Sequence, residues 1–186
     1  MLANAQTANL VFLWVNAAAG RWQDAFHFVP SLFAFALGVV IAAWLRGAAG
    51  ERAGRLSLLI EIVMLVFVGM LHNRMPEVEG TLGISLVAAM QTSIFTRVEG
   101  ANYSSVMITG NFRQAIEGAF AFVAVNSQMG LLRKCCIYVG MCATFGTGAA
   151  AGALITERWP TITLTILAIS LLLVLLLCGA QRSAQN

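Results

Sequence analysis

The chain has 186 residues, of which 59% are hydrophobic and only 10% charged, with a mean hydropathy of +0.82 and a formal net charge of +3 at pH 7. Soluble domains carry about 25% charged residues, so this composition excludes one and marks an integral membrane protein whose first partner is the lipid bilayer. The basic residues are spread over a few loops and form no stripe interleaved with aromatics, which argues against nucleic acid as a partner.

Met1 leads straight into apolar sequence with no Lys or Arg before Arg21, which is not the basic opening of a cleaved signal. The first segment, Leu2 to Ala19, carries no charge and contains the polar tetrad Gln6-Thr7-Ala8-Asn9. Apolar runs follow from Phe26 to Leu45, Leu56 to Leu71, Thr81 to Phe95, Cys135 to Thr156 and Thr161 to Leu177. Each is about 15 to 22 residues long, near the roughly 20 that cross a hydrocarbon core, and the set reads as five spanning helices. Between the third and fourth runs lies Val106 to Val125, which carries a second tetrad, Ile108-Thr109-Gly110-Asn111. Trp14, Trp22, Trp44 and Trp159 read as anchors at the membrane interface.

The two tetrads are followed by matching apolar segments, Phe35-Ala36-Leu37-Gly38 and Phe145-Gly146-Thr147-Gly148. Matching Gly38 and Ala42 to Gly148 and Gly152 keeps a small-xxx-small spacing in both copies, which lets helix backbones approach closely. The expected fold is an all-α polytopic membrane bundle within one domain, residues 1–186, with a first repeat over 1–75 and a second over 80–180. About three spans plus one half-helix make a repeat, and an odd number of spans inverts the second copy. The first copy lacks the span that opens the second, so one more apolar helix is expected upstream of Met1.

Positive residues decide how the tetrad segments run. If both cross the bilayer, Arg and Lys divide evenly between the two sides. If both dip in and return, Arg46, Arg52, Arg55, Arg97, Arg133, Lys134 and Arg182 are cytoplasmic and only Arg21, Arg74 and Arg158 are outside. The positive-inside rule selects the re-entrant arrangement, with a cytoplasmic C-terminus in the inner membrane. A full crossing would also carry Arg113 and Glu117 to the bilayer centre at roughly 2.5 to 3.5 kcal/mol each. The plainer alternative is that these two, four residues apart, pair within an ordinary spanning helix.

Thr7, Asn9, Thr109 and Asn111 are residue types that cap helix starts. A helix that starts inside the membrane offers free N–H groups and a partial positive charge to an anion or polar solute. Gln6 belongs to the first tetrad, Gln91 lies mid-span before the second, and Arg113 could draw an anion towards it. Against this, Thr and Asn can simply satisfy backbone groups at a break, Gln91 can be interhelical glue, and Arg113 can merely neutralise Glu117. Glu61 is an intramembrane charge with a default functional reading, or it snorkels to Arg52 and Arg55. Cys135, Cys136, Cys142 and Cys178 lack ligand spacing and read as packing residues, and His27 and His72 stand alone, so neither a metal site nor a cofactor is expected.

The run Met90-Gln91-Thr92-Ser93-Ile94-Phe95-Thr96-Arg97-Val98-Glu99-Gly100-Ala101-Asn102-Tyr103, leading into Val106-Met107-Ile108-Thr109-Gly110-Asn111-Phe112-Arg113, resembles the signature of the YoaK-like family. The opening Leu2-Ala3-Asn4-Ala5-Gln6-Thr7-Ala8-Asn9 is similar to that family's first TGN-type segment, with Ala8 where Gly is usual. The resemblance spans nearly the whole chain and implies a bacterial multi-pass inner-membrane protein of unknown function. It supplies no catalytic or ligand residues.

The function expected is a transporter or channel for a small polar or anionic solute, with its site at the interface of the repeats. The rival is a non-transporting membrane scaffold or partner subunit. No Ser/His, paired-carboxylate or metal-ligand constellation points to an enzyme. A homo-oligomer is compatible with either reading.

Overall fold

Runs of Leu, Ala, Val and Ile leave an apolar-embedded backbone one economical way to satisfy its own N–H and C=O groups, the helix. The computed structural model describes the backbone of residues 1–71, 77–104, 107–124, 129–159 and 162–183, and the side chains of 1–70, 80–104, 107–124, 129–159 and 162–177. Within these, eight α-helices form: α1 (Gln6–Ala18), α2 (Trp22–Phe26), α3 (Val29–Ala49), α4 (Ala53–Leu71), α5 (Glu77–Ile94), α6 (Ile108–Ala124), α7 (Met129–Arg158) and α8 (Thr163–Ser183). A two-stranded hairpin, β1 (Arg97–Val98) and β2 (Ala101–Asn102), precedes α6.

The five apolar runs fall on α3, α4, α5, α7 and α8, with helix bounds up to about six residues from the ends of the runs. Two helical stretches are long and apolar enough to cross a membrane, Trp22–Met70 and Met129–Arg158, while Gly80–Ile94 and Thr163–Leu177 are shorter apolar helices. Trp22–Met70 is not one rod. Pro30 in the first turn of α3 fixes its start, and Gly50 at φ +50° followed by a 3-10 turn, Gly50–Arg52, separates α3 from α4. The ends Val106 and Val125 of the second tetrad segment, and His72 and Arg74, lie outside the described residues.

The chain divides into two units, Met1–Ile94 with Thr161–Asn186, and Phe95–Pro160. In the first, α3 lies against α5, and α4 lies against both α5 and α8. The α3–α5 crossing is so close that a Cβ on Gly38 would stand 2.3 Å from the Leu86 carbonyl oxygen. Ala42 on α3 and Ala89 on α5 are fully buried nearby, so the small-xxx-small pair of the first copy is a true helix contact. Ala42, Leu45, Ala53 and Met90 form the centre of this unit's core.

In the second unit α6 and α7 run antiparallel. A Cβ on Gly118 would meet Cys135, the Cys135 thiol donates to the Ala115 carbonyl at 3.4 Å, and Ala115 and Tyr138 share a buried cluster with Ala101. The hairpin turns at Glu99 (φ +48°) and Gly100 (φ +79°), the paired left-handed backbone that a two-residue loop demands. Nothing in the helical periodicity announced this hairpin, because its strands are two residues each.

Candidate functional site

Each tetrad asparagine occupies the fourth position of a helix, Asn9 in α1 and Asn111 in α6, and each turns back to grip the backbone seven residues earlier. Asn9 Oδ1 accepts from the Leu2 N–H at 2.9 Å and its Nδ2 donates to the Leu2 carbonyl at 2.6 Å. Asn111 Oδ1 accepts from the Ser104 N–H at 3.2 Å and its Nδ2 donates to the Ser104 carbonyl at 2.7 Å. A carboxamide used in this way satisfies both the N–H and the C=O of a residue ahead of the helix. The two asparagines thus build the same local device.

These asparagines are clamps and not helix caps. The N-cap of α1 is Ala5, with no side-chain cap, and Thr7 and Thr109 are both exposed. Capping was the expectation from residue type, but a hydroxyl at the second helical position points away from the N–H groups ahead of it, while the asparagine one turn on can reach back.

The two copies differ in what surrounds the clamp. Asn9 is 0% exposed, and its Nδ2 also lies 3.0 Å from Gln6 Oε1 and 3.2 Å from Ser31 Oγ. Gln6 Nε2 donates to the Ala3 carbonyl at 3.0 Å, and Ser31 Oγ is 2.9 Å from Ser85 Oγ, which in turn donates to Ala3. The first site is therefore a closed network of Gln6, Asn9, Ser31 and Ser85 in which the donors and acceptors meet one another. Ser31 and Ser85 were not singled out from the sequence. Their signal was only that each is a hydroxyl in an otherwise apolar helix.

At the second site Asn111 is 3% exposed, and among the described residues its hydrogen bonds are the two to Ser104. A carboxamide has two donors and two acceptor lone pairs, and Ser104 takes one of each. The Gly38-to-Gly148 alignment puts Met141 where Ser31 stands in the first copy, so an apolar side chain replaces the hydroxyl that closed the network. Beside it is a cavity of about 390 Å³ lined by Tyr103, Ser104, Ile108, Asn111, Met141 and Thr144, among others. Ile108 brings the first turn of α6 to this cavity, and just ahead of it the Met107 N–H donates to Ser104 Oγ at 3.1 Å. Burial pushes the Tyr103 phenol above its usual range, so it remains a neutral hydroxyl.

The hairpin fixes how deep this helix start lies along α7. Arg133 Nε donates to Glu99 Oε2 at 2.9 Å and Tyr138 Oη to the Asn102 carbonyl at 2.8 Å, while Ser104 and Asn111 share the cavity with Met141 and Thr144. The chain thus descends from Arg133 to about Met141–Thr144, some 12 to 17 Å along α7, before α6 turns it back. It enters and leaves at the same end of α7.

Of the remaining candidates, Gln91 is half-buried on α5, in the unit that holds Asn9. Arg113 is exposed and pairs with Glu117 at 3.8 Å, as the plainer alternative has it. Glu61 is buried, and the described ion pairs include none between it and Arg52 or Arg55.

No curated protein and no solved structure matches the chain. Residues 1–178 match the family described as "Protein of unknown function (DUF1275)", and with that coverage of a chain built on two apolar, asparagine-clamped segments, the protein belongs to this family.

Proposed function

We propose that the protein is a membrane transporter or channel for a small polar or anionic solute, and that the solute is met at the start of α6. The observation that carries this reading is the buried Asn111 on the wall of a 390 Å³ cavity, at the start of a helix that begins partway along α7. The re-entrant path supports it. The hairpin and the first turns of α7 are joined by the Glu99–Arg133 and Asn102–Tyr138 bonds, so a full crossing between them is not needed. Burial of irregular backbone in protein is the condition under which such a path is stable in a membrane. In this reading α3, α4, α5, α7 and α8 span, α1 and α6 are half-helices of inverted repeats, and the C-terminus is cytoplasmic.

The test is flux into vesicles reconstituted with the full chain, using neutral polyols, carboxylates and small inorganic anions as probes. Gly140→Leu should block it, because nothing lies within 4 Å of a Cβ at Gly140 and the new side chain has the cavity to fill. Flux of some probe above empty vesicles, reduced to their level by Gly140→Leu, is the expected outcome. No flux from any probe, or an unaltered rate in the variant, counts against the reading.

A second reading, a partner subunit, has one observation in its favour. The small pair of α3 is filled by α5, whereas nothing comes within 4 Å of a Cβ at Gly140, Gly148 or Gly152 of α7. That row could seat a helix of another protein. Co-purification of a stoichiometric membrane partner, lost in Gly148→Leu, would favour this reading over transport.

A further inference from the structure

We infer that Glu61, with Ser57 one helical turn before it, forms a proton-binding site among the apolar helices of the first unit. The buried stripe of α4 runs Ala53, Ser57, Glu61, Leu65 at intervals of four, so the two polar residues share the inward face. Ser57 is 1% exposed and Glu61 8%. Ser57 Oγ and Glu61 Oε2 both lack a hydrogen-bond partner. Buried polar atoms are almost always paired, so two orphans on one face, four residues apart, mark a place suited to a small ligand.

The surroundings select which ligand. The helices packed against α4 are α5 and α8, with lighter contact from α3. The one charged residue of α3 is Arg46, whose guanidinium donates to the Ser93 carbonyl. Residues 80–94 of α5 and 163–177 of α8 carry no charge, and Glu77, Glu79 and Arg182 lie outside the described side chains. Just before α4 and in its first turn, Glu51, Arg52 and Arg55 are all exposed. No described cation therefore compensates an ionised Glu61, and an uncompensated carboxylate in apolar surroundings is far costlier than the neutral acid. A hard metal cation would want about six oxygens or more, whereas this face offers one carboxyl and one hydroxyl. A proton needs only the carboxyl, which is neutral once it carries one, with the Ser57 hydroxyl one turn away on the same buried face.

A group neutral when loaded and costly when empty is suited to exchange its proton when water or a polar solute enters. Its role as coupling ion rests on the transport reading. The site itself does not.

The test is labelling of the full chain in liposomes with a fluorescent, membrane-permeant carbodiimide, which adds to protonated carboxyls in apolar surroundings, followed by peptide mapping of the wild-type adduct. The adduct should map to Glu61, be absent in Glu61→Gln, and form about tenfold more slowly per pH unit once the group ionises. Mapping on the wild type keeps the result decisive even if the variant folds poorly. An adduct elsewhere, or a rate flat with pH, overturns the proposal. Protection by sodium at fixed pH, with choline as control, also overturns it, since the site would then take a metal cation. Absence of solute flux would defeat transport and leave the adduct in place, so the two readings fail separately.

Discussion

At the scale of single residues, identical sequence roles hide different physical ones. Gly38 and Gly148 align in the repeat, yet a Cβ at the first would stand 2.3 Å from a backbone oxygen and at the second would meet nothing within 4 Å. Gly38→Ala should therefore push α3 off α5 and destabilise the protein by about 1–3 kcal/mol, the ordinary range for overpacking. Gly148→Ala should be neutral or stabilising by about 0.5–1 kcal/mol, because it only removes a helix glycine. Thermal midpoints in detergent check both, and equal shifts would contradict the packing. The asparagines were legible as paired features of the sequence, but their partners were not. A hydrogen bond to residue i−7 depends on an extended segment folding back, which helix-cap statistics do not register.

Among elements, α1 and α6 are those whose path matters most. At 13 residues, α1 is about 20 Å long, short of a 30 Å hydrocarbon core. For α6 the evidence is the stapling of the segments before and after it. A single cysteine replacing Thr96 and another replacing Lys134, each in a cysteine-free background, should react with an impermeant reagent from the same side of the membrane. Reaction from opposite sides would mean that α6 crosses and that the re-entrant path is wrong. The five apolar runs were readable as helices because hydrophobic length is a strong signal. The hairpin was not, since four strand residues carry no periodicity and the turn rests on Glu99 adopting a left-handed backbone that its residue type does not advertise.

For the whole molecule, composition did most of the work. The exposed surface carries Phe33, Trp44, Val63, Met70, Phe120 and Val123, each large and apolar, a surface that suits contact with lipid. The protein should accordingly stay with membranes through alkaline carbonate washing and leave only with detergent, and release by carbonate would refute bilayer embedding. What the sequence could not foretell was that Asn9 would be joined by Ser31 and by Ser85 arriving from α5, while the described bonds of Asn111 go to Ser104.

The clamp also makes position 111 unusually strict in chemical spelling. Its side chain imitates a peptide group, presenting one donor and one acceptor at a fixed separation to the two faces of Ser104. Aspartate would set oxygen against the Ser104 carbonyl, glutamine would overreach by a methylene, and leucine would offer neither hand. No near neighbour of asparagine keeps the grip, so any drift at this residue releases the segment that leads into the cavity.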